Sequence, residues 1–529
     1  MPSKPTVSQP SMDCRGETDI NVVIIGAGIA SLVAARELLS TTDSVKSVTI
    51  VEACDYVGGR IKSNDDLIPG GHRIDLGAEI IHGSGTMLTD IVDAKRLDWQ
   101  KLLGNDEQLL EEVFIAAHAD GGPQEQPTSD SGKYGIYYLA EEDRFLRYDT
   151  DDVDFRRMSE ALHNLECSAT VEVREGETGA DGEEMCTGRC HQSLGAHLDA
   201  TGALPQRMTG LLEASFGNTA ACTDLHKISL STLCDFDRHW EENEEEGDVR
   251  LHSRIGMVGV VDALREKLER DERLSILLNW KVGEIKWEEF GGVSVISAED
   301  KGTIRADKVL VTASPPVVLS GAIQFQPPLP SWKLEAYNMV GMERAVKVVV
   351  KFRERFWPKE VQSIITSKQP IPEIWFREIG TAKLDDCANE FAHLAVGFLT
   401  SQAAENFLIS LGSSDDKYES LTPERRKAEA AADKLKDQLA LIFRDTCSRE
   451  DLEDSYASAI MYDWGEVDTI LGGYIYPKVG CKPKHFSDMA RNIGPLHFAG
   501  EATNTGACCT VQAAMETGAR AATEILRRK

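Results

Sequence analysis

The chain has 529 residues, 42% hydrophobic and 27% charged, a composition that fits a soluble globular protein of two or three folded units. Its 57 basic and 87 acidic residues give a net charge of −30, which excludes the basic surface that nucleic-acid binding needs. That charge would favour approach of a cation, although solubility alone is a sufficient reason for it.

No apolar run approaches the roughly 20 residues a membrane-spanning helix requires. Residues 1–19 are polar, carry Pro2, Pro5 and Pro10, and lack the apolar core of a signal peptide, so they read as a disordered arm. The final Ile525-Leu526-Arg527-Arg528-Lys529 is neither a hydrophobic anchor nor a peroxisomal tripeptide. Twelve cysteines are too sparse for a disulfide framework, and the setting expected is the reducing cytoplasm. Cys186-Thr-Gly-Arg-Cys190-His191 faintly resembles half a zinc site, but no second pair stands at zinc spacing, so no metal is expected.

In chain order, the β-branched run 21–25 predicts a strand, 26–31 a turn, 32–39 a helix and 48–51 a second strand, which together make a βαβ unit. From about 96 to 248 the pattern is mixed, with Gly- and Glu-rich stretches at 174–184 and 241–247, the acidic run 241–246 reading as a solvated loop. Helix follows at 257–268 and strand at 274–278; 293–297, 303–305 and 308–312 read as a β-meander. Residues 346–352 are a strongly apolar strand with Lys347 and Lys351 on one face and Val346, Val348 and Val350 on the other. A lysine in such a strand must find a polar partner or lie on a solvated edge, and Lys351 suits the edge better. Residues 423–443 make an amphipathic helix, and the end returns to strand (496–499), turn (500–510) and helix (511–528).

Gly26-Ala27-Gly28-Ile29-Ala30-Ser31 follows the first strand and opens the first helix. The first glycine would make the tight turn and the second would admit a pyrophosphate, held by the N–H groups that start the helix. Ser31 replaces a third glycine and slightly relaxes the packing of helix on strand. Glu52 ends the next strand, where an acid binds ribose hydroxyls and disfavours a 2′-phosphate. A glycine-rich turn without a ligand is the plain alternative.

Six residues further on come Gly58-Gly59-Arg60. The stretch Val51-Glu-Ala-Cys-Asp-Tyr-Val-Gly-Gly-Arg60 closely resembles a motif of the flavin-containing amine oxidase family, in which the arginine approaches the FAD diphosphate. The resemblance continues in the family's order. Leu76-Gly77-Ala78-Glu79-Ile80-Ile81-His82-Gly83 is similar to the flavin-facing segment of polyamine oxidases, with Ile80 where the family carries an aromatic. Gly256-Met257 with Asp262-Ala263-Leu264 looks like the return to the FAD domain, and Val282 falls where the family contacts adenine. Residues 309–313 with Pro327-Pro328-Leu329-Pro330 match the crossing into the substrate domain, and Phe498-Ala499-Gly500-Glu501-Ala502-Thr503 resembles the second dinucleotide motif. The branch indicated is that of polyamine and spermine oxidases.

The resemblance implies an α/β fold: an FAD-binding, Rossmann-like domain with an interleaved α+β substrate-binding domain. The nucleotide domain would comprise 20–95, 251–325 and 455–529, and the substrate domain 96–250 and 326–454. FAD contacts would come from Gly26, Gly28, Ala30, Ser31, Glu52, Gly59, Arg60, Gly77, Ala78, Val282, Glu501, Thr510 and Val511. Lys347, ten residues before Trp357, is placed like the family lysine that reaches flavin N5 through a water. His82 stands where animal polyamine oxidases carry a histidine that binds a substrate nitrogen. In Asp463-Trp464-Gly465 and Gly472-Gly473-Tyr474-Ile475-Tyr476, Trp464 and Tyr474 match a wall of the amine site. Gly473 stands where monoamine oxidases attach FAD through a cysteine, so the flavin should be non-covalent. Thr510 replaces the second cage tyrosine of monoamine oxidases, and a one-walled cage admits longer, thinner chains. Cys508-Cys509 departs from the family's more usual Pro-Gly.

The activity so implied is oxidation of an amine by hydride transfer to flavin, with dioxygen as acceptor and hydrogen peroxide, aldehyde and free amine as products. Lys347, His82 and Tyr474 would carry it; the partners are a small-molecule amine and dioxygen, and no oligomeric state is implied. An L-amino-acid oxidase would need an arginine for the α-carboxylate, and none is evident in the substrate domain. A histone-lysine demethylase would want a helical arm longer than 423–443 and a chromatin-reading domain before residue 20. A flavin-bound protein without turnover would not need Lys347, His82 and Tyr474 together.

Overall fold

The computed structural model describes residues 20–40, 44–104, 108–113, 133–147, 150–169, 191–230, 248–289, 291–380, 391–412, 418, 420–504, 506 and 508–527. The arm at 1–19, the stretch 174–184, Cys186 and Cys190, and the acidic insert lie outside the described residues.

Strand Ile20–Ile25 is central to a five-stranded parallel sheet, and Val22 to Ile25 are buried on both faces, as a near-continuous apolar run requires. Val45–Val51 and Leu274–Leu277 extend the sheet on one side, Lys308–Val311 and Leu496–Phe498 on the other. Three distant parts of the chain therefore build one sheet. Helices Ile29–Ser40, Val258–Leu268 and Val511–Leu526 cover one face. Two of them pack closely because Gly518 lies against Ala30: a Cβ at 518 would stand 2.2 Å from the Ala30 carbonyl oxygen.

The expected meander does not form. Val293–Ser297 and Thr303–Ala306 pair antiparallel in a separate four-stranded sheet, whereas Lys308–Val311 pairs parallel with Ile20–Ile25 and Leu496–Phe498. The apolar Val309, Leu310 and Val311 are buried in the parallel sheet, sandwiched between the two strands on either side.

A second large sheet has seven strands, in the order Tyr456–Asp463, Ala345–Phe352, Phe391–Thr400, Glu373–Gly380, Val361–Ser367, Tyr134–Leu139 and Arg144–Leu146. Ala345–Phe352 is an interior strand, so neither of its lysines sits on an edge. Val346, Val348 and Val350 pack beneath the helix Pro423–Ile442, and the alternate face carries Lys347 toward the other layer. Lys351 is half-buried and donates to the Leu67 carbonyl at 2.6 Å, not to solvent as expected. Thr422 caps the helix, and Pro423 at its first turn removes an N–H that would have no partner. Ile80–His82 joins Asp248–Leu251 and Leu110–Glu112 in a small sheet beside the seven-stranded one.

Candidate active site

One cavity of about 500 Å³ runs from the ends of the parallel strands to the 345–352 strand. Every candidate FAD-contacting, catalytic or substrate-binding residue read from the sequence lines it except Ser31. Ser31 is fully buried behind the turn, where its hydroxyl lies 2.9 Å from Thr312 Oγ1. The third fingerprint position thus ties the helix to the end of a neighbouring strand rather than facing a ligand.

The glycine turns form one cradle. Gly26 has φ +97°, open to glycine, and a Cβ there would meet Thr312 Oγ1 at 2.6 Å. Gly58 donates to the Ala27 carbonyl at 2.9 Å, and a Cβ on Gly59 would press on Gly28 Cα at 3.2 Å, so the second turn lies directly on the first. Around Gly28 itself nothing stands within 4 Å of an added Cβ, which leaves open space at the cavity wall. Glu52 fixes the turn: one oxygen accepts from Ala27 N at 2.6 Å and the other from Cys54 N at 2.8 Å. Arg60 donates to the Gly473 carbonyl at 2.7 Å and to Glu501 at 3.0 Å, and Glu501 also accepts from Cys509 N at 3.1 Å. Thr510 caps the last helix through Ala513 N, with Val511 as its first residue. Val282 starts its strand at the same cavity. A cradle without Cβ atoms, an arginine, an acid at the second strand end and a helix start are the donor set a dinucleotide needs, so these residues fit FAD.

The segment after Gly77 is packed tightly. A Cβ at Gly77 would lie 1.8 Å from the Arg60 carbonyl oxygen and 2.9 Å from Trp464 Cζ2. Ala78 N donates to that same Arg60 carbonyl at 3.2 Å. Trp464 is buried with its indole N–H on the Leu76 carbonyl at 3.0 Å. His82 Nδ1 lies 2.7 Å from Asp248 Oδ1 on the paired strand. Tyr474 donates to the Thr219 carbonyl at 2.6 Å, and burial, then Cys509 and Glu373, raise its phenol well above the ordinary range.

Lys347 Nζ donates to Glu79 Oε2 at 2.8 Å, to the Asp75 carbonyl at 2.9 Å and to the Gly77 carbonyl at 3.1 Å. The other Glu79 oxygen receives Arg250 at 2.8 Å and Arg377 at 3.1 Å. Burial alone would raise the Glu79 carboxyl; Lys347, Arg250 and Arg377 together hold it below the ordinary range. Asp75 next to it is pushed up to about 7, first by burial and then by Glu79, against the pull of Lys347 and Arg377.

Sequence reasoning missed a second carboxylate. Glu373 opens the strand Glu373–Gly380, is 1% exposed and lines the cavity with Trp375, Phe398, Phe216 and Tyr474. It accepts from Trp375 Nε1 at 2.7 Å and from Asn218 Nδ2 at 3.2 Å. Trp375 and Phe398 stack with centroids 5.4 Å apart. The available signal was an acid at the head of the apolar run Ile374-Trp375-Phe376. Arg250, Arg377 and the pairing role of Glu79 were also missed.

Comparison with known proteins agrees with this geometry. A family model for flavin containing amine oxidoreductases matches residues 29–526, and the chain belongs to that family. Polyamine oxidase 7 of Oryza sativa subsp. japonica is 27% identical over 350 residues, 64% of this chain and 64% of that protein. Histone demethylase-like protein A of Aspergillus fumigatus is 29% identical over 351 residues, 63% of this chain but 30% of that protein. The chain thus matches less than two thirds of the length of each. Among solved structures, putrescine oxidase bound to putrescine superposes with a TM-score of 0.67 at 18% identity, over 97% of this chain and 100% of that one. Cyclohexylamine oxidase from Brevibacterium oxydans gives 0.66 at 20% identity, over 96% and 99%. These likenesses establish the fold, and the α/β class and the family read from the motifs both hold.

Proposed function

We propose that this chain is an FAD-dependent oxidase of polyamines, and that Glu373 receives a second, non-reacting ammonium of the substrate. The observation that carries the reading is a buried carboxylate among aromatic walls in the same cavity as Lys347. A carboxylate with aromatic faces is the environment an ammonium prefers. Among the described residues the cavity wall has one arginine, Arg60, which is held by Glu501 and the Gly473 carbonyl. That leaves no arginine at the wall to clamp an α-carboxylate and disfavours an amino-acid substrate.

Bound in the cradle, FAD would supply a two-electron acceptor for a hydride from the carbon beside an amine nitrogen, with dioxygen as the final acceptor and hydrogen peroxide, aldehyde and free amine as products. The chain's residues position and polarise. Glu373 sets how far along the cavity a polyamine reaches. Tyr474 and Trp375 exclude water from its methylenes. His82, oriented by Asp248, faces a substrate nitrogen, and Lys347 presents a fixed positive charge. Non-covalent binding of FAD is supported by Gly473, where a Cβ would stand 2.7 Å from the Ala345 Cβ and leave little room for a cysteine tether at that position. The test is peroxide release on spermine, N-acetylated polyamines, putrescine, arylalkylamines and amino acids. Polyamines or diamines should lead; turnover of amino acids alone would refute the substrate class.

A further inference from the structure

Lys347 has three N–H donors, and all three are taken: two by backbone carbonyls and one by Glu79. No N–H is left over for a water in this arrangement. Lys347 is 3% exposed, so its charge must be matched by groups within the fold. Two buried arginines, Arg250 from the strand Asp248–Leu251 and Arg377 from the strand Glu373–Gly380, meet at the same carboxylate and add repulsion. From the remaining elements packed here come Asp75, whose backbone carbonyl faces Nζ, Glu111, 3.5 Å from Arg377, and the Trp375 ring, whose centroid is 5.2 Å from Nζ. Among the described residues, Glu79 is therefore the one carboxylate that bonds Nζ.

We propose that Glu79 is a positioning residue: its carboxylate, clamped by Arg250 and Arg377, keeps the Lys347 ammonium charged and fixed at the cavity wall. The proposal rests on the flavin reading of the cavity. Its physical basis is an asymmetry among three cations. Without Glu79 they lose their common counter-charge, and arginine cannot release a proton. Lys347 can, and it becomes the group that yields. A water bridge from Lys347 would need one of its present bonds to open, so Glu79 also decides whether Lys347 is available to anything else in the cavity.

The test uses the flavin-loaded protein and its E79Q, E79D, K347M and E79Q/K347M variants. The absorbance of the bound flavin is titrated from neutral to alkaline pH, a readout independent of turnover. E79Q should show an alkaline step that wild type and E79D lack and that E79Q/K347M loses again, which assigns it to Lys347 regardless of Asp75. Across that step, the reaction of reduced E79Q with dioxygen should fall about tenfold, while E79D keeps the wild-type profile. If E79Q releases its flavin, the pairing predicts that E79Q/K347M, which drops both opposite charges, regains it. A flavin-loaded E79Q with no step that K347M removes, or a double variant no better than a flavin-free E79Q, overturns the proposal. A wild type unable to bind flavin overturns the flavin reading along with it.

Discussion

Lys347 and Glu79 meet at 2.8 Å, both buried, although 268 residues separate them in the chain. Glu79 holds the Lys347 ammonium in place at the cavity wall, where an electron-rich cofactor and dioxygen would gain from its charge. Replacing Lys347 by Met should slow reaction of the reduced protein with dioxygen about 100-fold, the usual loss when one preorganised electrostatic group is removed. Stopped-flow oxidation with a bound-flavin count checks this. Wild-type rates with full flavin would take Lys347 out of the chemistry.

Glu373→Gln keeps the shape of the side chain and can still accept from one of its two donors, Trp375 Nε1 or Asn218 Nδ2, but removes the charge. Loss of a charge-assisted contact should lower kcat/KM for spermine and putrescine by about 10- to 100-fold. An arylalkylamine, having no second ammonium, should be spared. Equal losses on both kinds of amine would show that Glu373 shapes the cavity without reading charge.

Asp75 predicts a pH signature in stability. Its carboxyl is pushed from the ordinary 3.8 up to about 7, first by burial and then by Glu79. Between those values the folded chain holds more protons than the unfolded one, so stability should fall as pH rises through this window and level off above it. Asp75→Asn still accepts the Met257 N–H but cannot ionise, and should remove that part of the slope. Urea midpoints at about pH 5 and about pH 8 compare the two chains; identical pH dependence would contradict the assignment.

Two glycines separate folding from cofactor binding. Gly77→Ala puts a Cβ 1.8 Å from the Arg60 carbonyl oxygen, so it should lower Tm and abolish flavin binding together. Gly28→Ala meets no protein atom within 4 Å and should fold normally, yet narrow the cradle and weaken flavin binding. Calorimetry beside flavin titration distinguishes them.

What could be read from the sequence was local. The first strand, the glycine turns and the lysine-bearing strand announce themselves within a few residues, because burial on both faces and the need for a Cβ-free turn leave local marks. The helix 423–442 was read to within one residue for the same reason: its cap, its proline and its period are contiguous. The sheet that receives Lys308–Val311 was not legible, since a short apolar strand carries no mark of its partners and here both come from distant segments. Nor was the charge cluster: Glu79 and Arg377 lie 298 residues apart, and each alone looks like an ordinary charged residue. Lys351 was misread as solvated because alternation gives the face of a strand but not what covers it.

The central claim is that the cavity holds a reducible, non-covalent FAD that a polyamine reduces. The direct measurement is the visible spectrum of the purified chain, reconstituted with FAD if needed, before and after anaerobic addition of spermine and putrescine. The account predicts a flavin spectrum that bleaches with at least one of them, returns on admitting air with release of hydrogen peroxide, and leaves no flavin on the acid-precipitated protein. A chain that stays colourless and takes up no FAD, or a flavin that no amine bleaches, would contradict it.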